Sequence, residues 1–132
     1  AMLEEGSSTV QLCRAGHDAP LLYRASDASV QQLNPPGMVV GIDGGDVFNR
    51  IIRDHSVELA SGDLLVFYTD GVTEALNAEG DEFGVDAFMA SVVASATKGP
   101  QAVIEKITAD LKEFVGSCPQ HDDITVIVIR KQ

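Results

Sequence analysis

Apolar and polar positions alternate in the first third of the chain and take a helical period later. Over residues 9–15 Val10 and Leu12 fall on one face and Gln11 and Cys13 on the other, which predicts a half-buried strand. Gly16 to Pro20 breaks the pattern, and Pro20-Leu21-Leu22-Tyr23-Arg24 predicts a second strand. Asp27-Ala28-Ser29 predicts a turn into a short strand over residues 30–33. The Pro- and Gly-rich residues 34–46 predict loop, and residues 48–59 read as extended, with Ile52, Val57 and Leu59 as core positions. After a tight turn at Ser61-Gly62-Asp63 comes Leu64-Leu65-Val66-Phe67-Tyr68, an unbroken apolar run that fits a strand buried on both faces. Val85, Phe88, Met89, Val92, Val93 and Ala96 then recur at helical spacing. A second helix opens at Pro100, carries Val103, Ile104, Ile107, Leu111 and Phe114 on one stripe, and stops at Gly116. Residues 124–129 are β-branched and predict a closing strand. Neighbouring strands, then two helices, then a strand is not βαβα alternation; it predicts an α+β domain with antiparallel sheet and helices on its outer face.

Length and charge narrow the function classes. At 132 residues the chain has room for one domain and one sizeable core. Lys plus Arg number 9 against 20 Asp plus Glu, a net charge of −11 that argues against nucleic acid and against an anionic membrane surface. A hydrophobic fraction of 45% excludes a disordered acidic tail. There is no secretory leader pattern and no membrane-length apolar run, so the expectation is a cytoplasmic protein without membrane insertion. Cys13 and Cys118 form no C-x-x-C pair and are expected to be buried thiols of a reducing compartment.

Between Arg53 and Lys98 the chain has nine acids and no Lys or Arg. Most of these fit a solvated face; one or two could hold a hard divalent cation, whose ligands are carboxylate oxygens. Asp70 stands where the run 64–68 ends, and Asp122 stands just before the closing strand. Carboxylates at the ends of stiff apolar strands are held in place while still reaching water. If those strands are sheet neighbours, both carboxylates face one cleft and form a half-shell for Mg²⁺ or Mn²⁺. The same residues also have plainer readings: Asp-Gly is a common turn dipeptide, and Asp-Asp before a strand can cap or charge an edge. Adjacent strand residues point to opposite faces, so only one of Asp122 and Asp123 reaches a given metal. His17, at a turn, is expected to be a hydrogen-bonded structural residue, and His55 a surface strand residue. Residues 77–84 do not match a calcium-loop spacing and predict a turn, and there is no phosphate-binding glycine loop or nucleophile elbow.

Ala15-Gly16-His17-Asp18-Ala19-Pro20-Leu21-Leu22, then Gly62-Asp63 through Thr69-Asp70-Gly71-Val72-Thr73-Glu74-Ala75, then Phe83-Gly84, then Asp122-Asp123-Ile124-Thr125 occur in this order. In that order the chain resembles the SpoIIE-like branch of the PPM-type, metal-dependent serine/threonine protein phosphatases. The resemblance implies an αββα sandwich of two antiparallel sheets flanked by helices and a binuclear Mn²⁺ or Mg²⁺ centre at one end of it. It implies Asp70 and Asp122 as metal ligands, with Gly71 and Asp123 as neighbours that support them. It implies hydrolysis of phosphoserine or phosphothreonine by a metal-activated water, on a regulatory protein such as a STAS-type anti-sigma-factor antagonist, downstream of a sensor or receiver domain. The pattern departs from the family in one respect: no Asp-x-x-Gly-His-Gly motif, whose aspartate bridges the metals, occurs in residues 1–132. Residues 1–132 are therefore expected to be the C-terminal part of such a domain, without its N-terminal strands and first metal motif. An open sheet edge or inner face is expected to follow, with dimerisation or strand exchange as a remedy. Two other readings compete: an inactive pseudophosphatase or protein-docking module, motivated by the missing motif, and a calcium-stabilised structural domain, motivated by the acidic stretch.

Overall fold

The computed structural model describes residues 1–132 except Glu5 and Asp43. Its elements run β1 (Met2–Leu3), β2 (Thr9–Leu12), β3 (Leu21–Arg24), β4 (Ser29–Gln32), α1 (Asp46–Ile51), β5 (His55–Glu58), β6 (Leu64–Tyr68), α2 (Asp70–Thr73), α3 (Gly84–Ser95), a 3-10 turn (Ala96–Lys98), α4 (Pro100–Val115) and β7 (Val126–Arg130). They build two antiparallel sheets, one in the order β1-β2-β5 and the other β4-β3-β6-β7.

The two-sided apolarity of β6 follows from its place between two cores. Leu64, Val66 and Tyr68 face α3 and α4, joining Leu21 and Tyr23 of β3 with Phe88, Val92, Val103 and Ile107 of the helices. Leu65 faces the other way and packs with Leu22 against Val10, Leu12 and Val57 of the smaller sheet. The layers are thus sheet on sheet on helices, the two antiparallel sheets and flanking helices that were expected, with α3 and α4 covering the four-stranded sheet. Ring contacts tie that helical layer down: Tyr68 meets Phe88 at 4.6 Å between centroids, and Phe83 meets Phe114 at 5.4 Å. The inner face is less complete. Ile127 shares its side of β7 with Ile129, yet it is 53% exposed because the three-stranded sheet does not reach over it.

Several expectations are corrected. Residues 48–59 are not extended throughout: α1 takes 46–51, and only then does β5 begin. Gly45, at φ 109, turns the chain into that helix, and the Arg50 Nε–H donates back to the Asp46 carbonyl at 3.0 Å. Because α1 buries none of its residues, it leaves no helical stripe in the sequence to read. Asp70-Gly71 is the start of a one-turn helix rather than a bare turn. Cys13 is exposed and Cys118 half-buried, both free thiols. Cys13 follows Leu12 and lies on the outward face of the alternation, the one it shares with Gln11. No helix among the described residues is long and apolar enough to cross a membrane.

One buried carboxylate joins the sheets. Asp63, 1% exposed, accepts from the Ala25 N–H at 2.9 Å, the Ala60 N–H at 3.0 Å and Arg24 Nη1 at 2.7 Å. The same Arg24 nitrogen donates to the Glu58 carbonyl at the end of β5, so the cluster spans β3, β5 and the turn into β6. Burial pushes the Asp63 carboxyl up, but the Ala25, Arg24 and Ala60 donors outweigh it and hold the group below its ordinary value. A carboxyl lowered in the folded state stabilises fully above its unfolded value, about 3.9, and loses that contribution as pH falls through the lowered one. Asp63→Asn is therefore predicted to destabilise by about 3 kcal/mol at neutral pH, since it leaves Arg24 and two N–H groups badly matched. Denaturant unfolding at neutral pH and below pH 4 checks this: the difference between the proteins should narrow in acid, and a constant difference would refute the linkage.

Candidate metal centre

The site begins with strand register. β6 and β7 are antiparallel neighbours with Tyr68 opposite Val126, so the end of one and the start of the other lie together. Thr69 extends the pairing by one residue. Its N–H donates to the Thr125 carbonyl at 3.1 Å, and its hydroxyl accepts from the Thr125 N–H at 3.0 Å while donating to the Asp123 carbonyl at 2.8 Å. Both segments are thereby fixed to each other just before Asp70 and just after Asp122.

Gly71 closes the gap. A Cβ there would lie 2.6 Å from the Asp123 carbonyl oxygen, closer than side chains come to a backbone atom, and 3.1 Å from its carbon. The buried Gly71 backbone therefore packs directly on the Asp122-Asp123 backbone, and Val72 beside it is fully buried in the helical core. The two carboxylates are oriented in the same way. An Asp70 oxygen accepts from the Gly71 N–H at 3.0 Å, and an Asp122 oxygen accepts from the Asp123 N–H at 2.7 Å. The second oxygen of each has no hydrogen bond among the described residues, and both side chains are exposed. The Asp122 carbonyl is itself tied by Gln120 Nε2 at 2.7 Å.

The four positions singled out in the sequence, Asp70, Gly71, Asp122 and Asp123, thus meet at one end of the sheet. Two exposed carboxylates, each with one oxygen free, are donors that suit a hard oxygen-seeking cation. Among the described residues no group of three or more His, Cys, Asp or Glu side chains is placed to hold a metal ion. Other acids of the 53–98 stretch have separate roles. Asp63 belongs to the inter-sheet cluster, and Asp81 closes a small hairpin in which the Asn77 side chain accepts from the Glu79 and Asp81 N–H groups. His17 is exposed and has no hydrogen bond among the described residues, contrary to the structural role expected of it. Its neighbour Asp18 lies near the end of β6. Burial pushes the Tyr68 hydroxyl up despite the hydrogen bond from Gln32, and the Asp18 charge adds to the rise.

Two features were not visible in the sequence. Thr69 was read only as part of a motif, because a threonine before an aspartate carries no sign that its hydroxyl bridges two strands. The second is a cavity of about 480 Å³ between α2, the last turns of α4 and residues 118–124, with Gly71 and Asp122 in its lining.

Comparison with known proteins places this arrangement. The sequence profile of the family described as Stage II sporulation protein E (SpoIIE) matches residues 1–132. Among curated proteins, the chain is similar to Protein IcfG of Synechocystis sp., 25% identical over 128 residues, which are 97% of this chain and 19% of that protein. It is also similar to Phosphoserine phosphatase RsbU of Bacillus subtilis, 26% identical over 120 residues, 89% of this chain and 33% of that protein. The chain therefore spans a third or less of these curated relatives. Among solved structures, the SiaA-PP2C domain of Pseudomonas aeruginosa superposes with a TM-score of 0.73 at 29% identity, over 92% of this chain and 47% of that one. Profile and superposition agree, and the chain belongs to the SpoIIE family of PP2C-type phosphatase domains.

Proposed function

We propose that residues 1–132 are the C-terminal part of a metal-dependent serine/threonine protein phosphatase domain in which Asp70 and Asp122 hold Mn²⁺ or Mg²⁺. The observation that carries this reading is the Thr69 and Gly71 clamp, which brings two half-free carboxylates together at the ends of paired strands. A divalent cation bound there supplies positive charge for the phosphoryl oxygens and an acidified water as nucleophile. The chain's own contribution is positional. β6 and β7 hold the ligands on rigid supports, Thr69 prevents the two segments from parting, and Gly71 permits their backbone contact. Hydrolysis forms a bond from water oxygen to phosphorus and breaks the bond to the serine or threonine oxygen, which leaves with a proton as inorganic phosphate is released. The remaining carboxylate of a two-metal centre comes from residues outside this chain.

The substrate is phosphoserine or phosphothreonine on a regulatory protein, of which a STAS-type anti-sigma-factor antagonist is the expected kind. The similarity to a phosphoserine phosphatase supports the chemistry. In this reading the protein acts in the cytoplasm under an upstream sensor or receiver domain, and dimerisation covers part of its open sheet. The half-shell also favours a second reading, a pseudophosphatase or docking module that keeps the fold and not the turnover. Phosphate release by the protein carrying the complete domain separates the two.

In that protein, chelation is predicted to abolish phosphate release and added Mn²⁺ or Mg²⁺ to restore it. Asp70→Asn should lower kcat more than about 100-fold, beyond the cost of losing a group that merely supports a ligand. Full activity in this variant would exclude Asp70 as a ligand. Gly71→Ala tests the clamp. It must push the Asp123 carbonyl away, so Mn²⁺ affinity by calorimetry should fall about 10- to 100-fold while stability falls by only about 1–3 kcal/mol. An unchanged affinity would show that backbone contact at Gly71 does not set the ligand spacing.

A further inference from the structure

The cavity beside Asp122 is the part of the molecule that the proposed chemistry leaves unused. Its volume, about 480 Å³, exceeds what one water-filled crevice between ligands needs and falls within the roughly 300–1,000 Å³ of sites that take a sizeable organic group. Its walls are mostly apolar: Leu76 follows α2, Leu111 and Val115 lie on α4, and Ile124, 40% exposed, stands at the start of the closing segment. Gly71 and Asp122 are themselves part of its lining, so a group seated inside lies against the Asp122 side of the candidate site.

Charge gives this apolar hollow a direction. Lys112 lies on its α4 wall and makes no ion pair or hydrogen bond through its side chain among the described residues. The reason is local. The cavity-lining neighbours on its helix face are Thr108 and Val115, whereas Lys106 on the same helix is paired with Asp110 at 2.5 Å. Glu74 stands on the opposite, α2 wall. On a chain of net charge −11, an unpaired ammonium at the lip of an apolar hollow marks where a carboxylate can settle, and Glu74 turns one away from the other side.

We infer that this cavity is the docking subsite for the segment of the phosphoprotein substrate that flanks its phosphoserine: an apolar side chain fills the hollow, and an acidic residue beyond it pairs with Lys112. The inference rests on the phosphatase reading and deepens it. An extended peptide advances about 3.3 Å per residue, so with a phosphoserine at Asp70 and Asp122 a residue one or two positions away reaches the cavity that Asp122 lines. The apolar anchor supplies affinity, and the rim charge supplies selection between sequences.

The test uses the protein carrying the complete domain with Mn²⁺. Its substrates are p-nitrophenyl phosphate, which has no flanking residues, and phosphoserine peptides with leucine one or two positions from the phosphoserine and glutamate beyond. Replacing the leucine by serine should lower kcat/KM about tenfold or more. Lys112→Glu should lower kcat/KM about fivefold on the glutamate peptide, raise it on a peptide with lysine there instead, and leave p-nitrophenyl phosphate unchanged. Val115→Asp should act on the leucine peptide in the same selective way. Equal rates on all peptides, or parallel changes on peptides and p-nitrophenyl phosphate, would overturn the subsite while leaving the phosphatase reading intact. If the unaltered protein shows no metal-dependent turnover of p-nitrophenyl phosphate, the phosphatase reading fails and the subsite falls with it.

Discussion

The pairing of β6 with β7 is the constraint from which the candidate site follows. Five residues of ladder bring the end of one strand to the start of the other, and the Thr69 hydroxyl carries the connection one step further by bonding both Thr125 and Asp123. An aspartate on an isolated loop would sample many positions. Here each carboxylate is one residue from a fixed backbone contact and is turned by the N–H of the residue after it. A registry error of one residue between these strands would reverse which side chains face the helices and separate the carboxylates at the same time. Fold and site are for this reason specified by the same hydrogen bonds.

That ladder is rigid because β6 is buried on both sides, and this in turn depends on how the sheets are joined. Asp63 sits at the beginning of β6 and gathers donors from β3, the β5–β6 turn and, through Arg24, the end of β5. A polar cluster in so apolar a neighbourhood costs desolvation, which its full complement of donors offsets. The arrangement puts a buried, fully bonded carboxylate at one end of β6 and the exposed Asp70 carboxylate at the other. The first has no free oxygen; the second keeps one open. The contrast in their hydrogen bonding distinguishes the two acids as clearly as burial does.

How far the sequence discloses this depends on whether a residue's surroundings are local. The run 64–68 and the stripe of α4 are legible because burial imposes a period on consecutive residues, and the helix stops at Gly116, which takes φ 60. Asp70 and Asp122 were legible as strand-end residues, and the structure pairs the strands whose ends they occupy. α1 was not, since a helix that buries nothing imposes no period, and its Val47 and Ile51 remain exposed. Cys13 shows the opposite error: composition favours buried thiols, but the alternation had already assigned it to the outer face. The Thr69 bridge spans more than fifty positions, 69 to 123, and the cavity at Lys112 joins α2, α4 and a late loop. Such features exist only after folding, so no local pattern announces them.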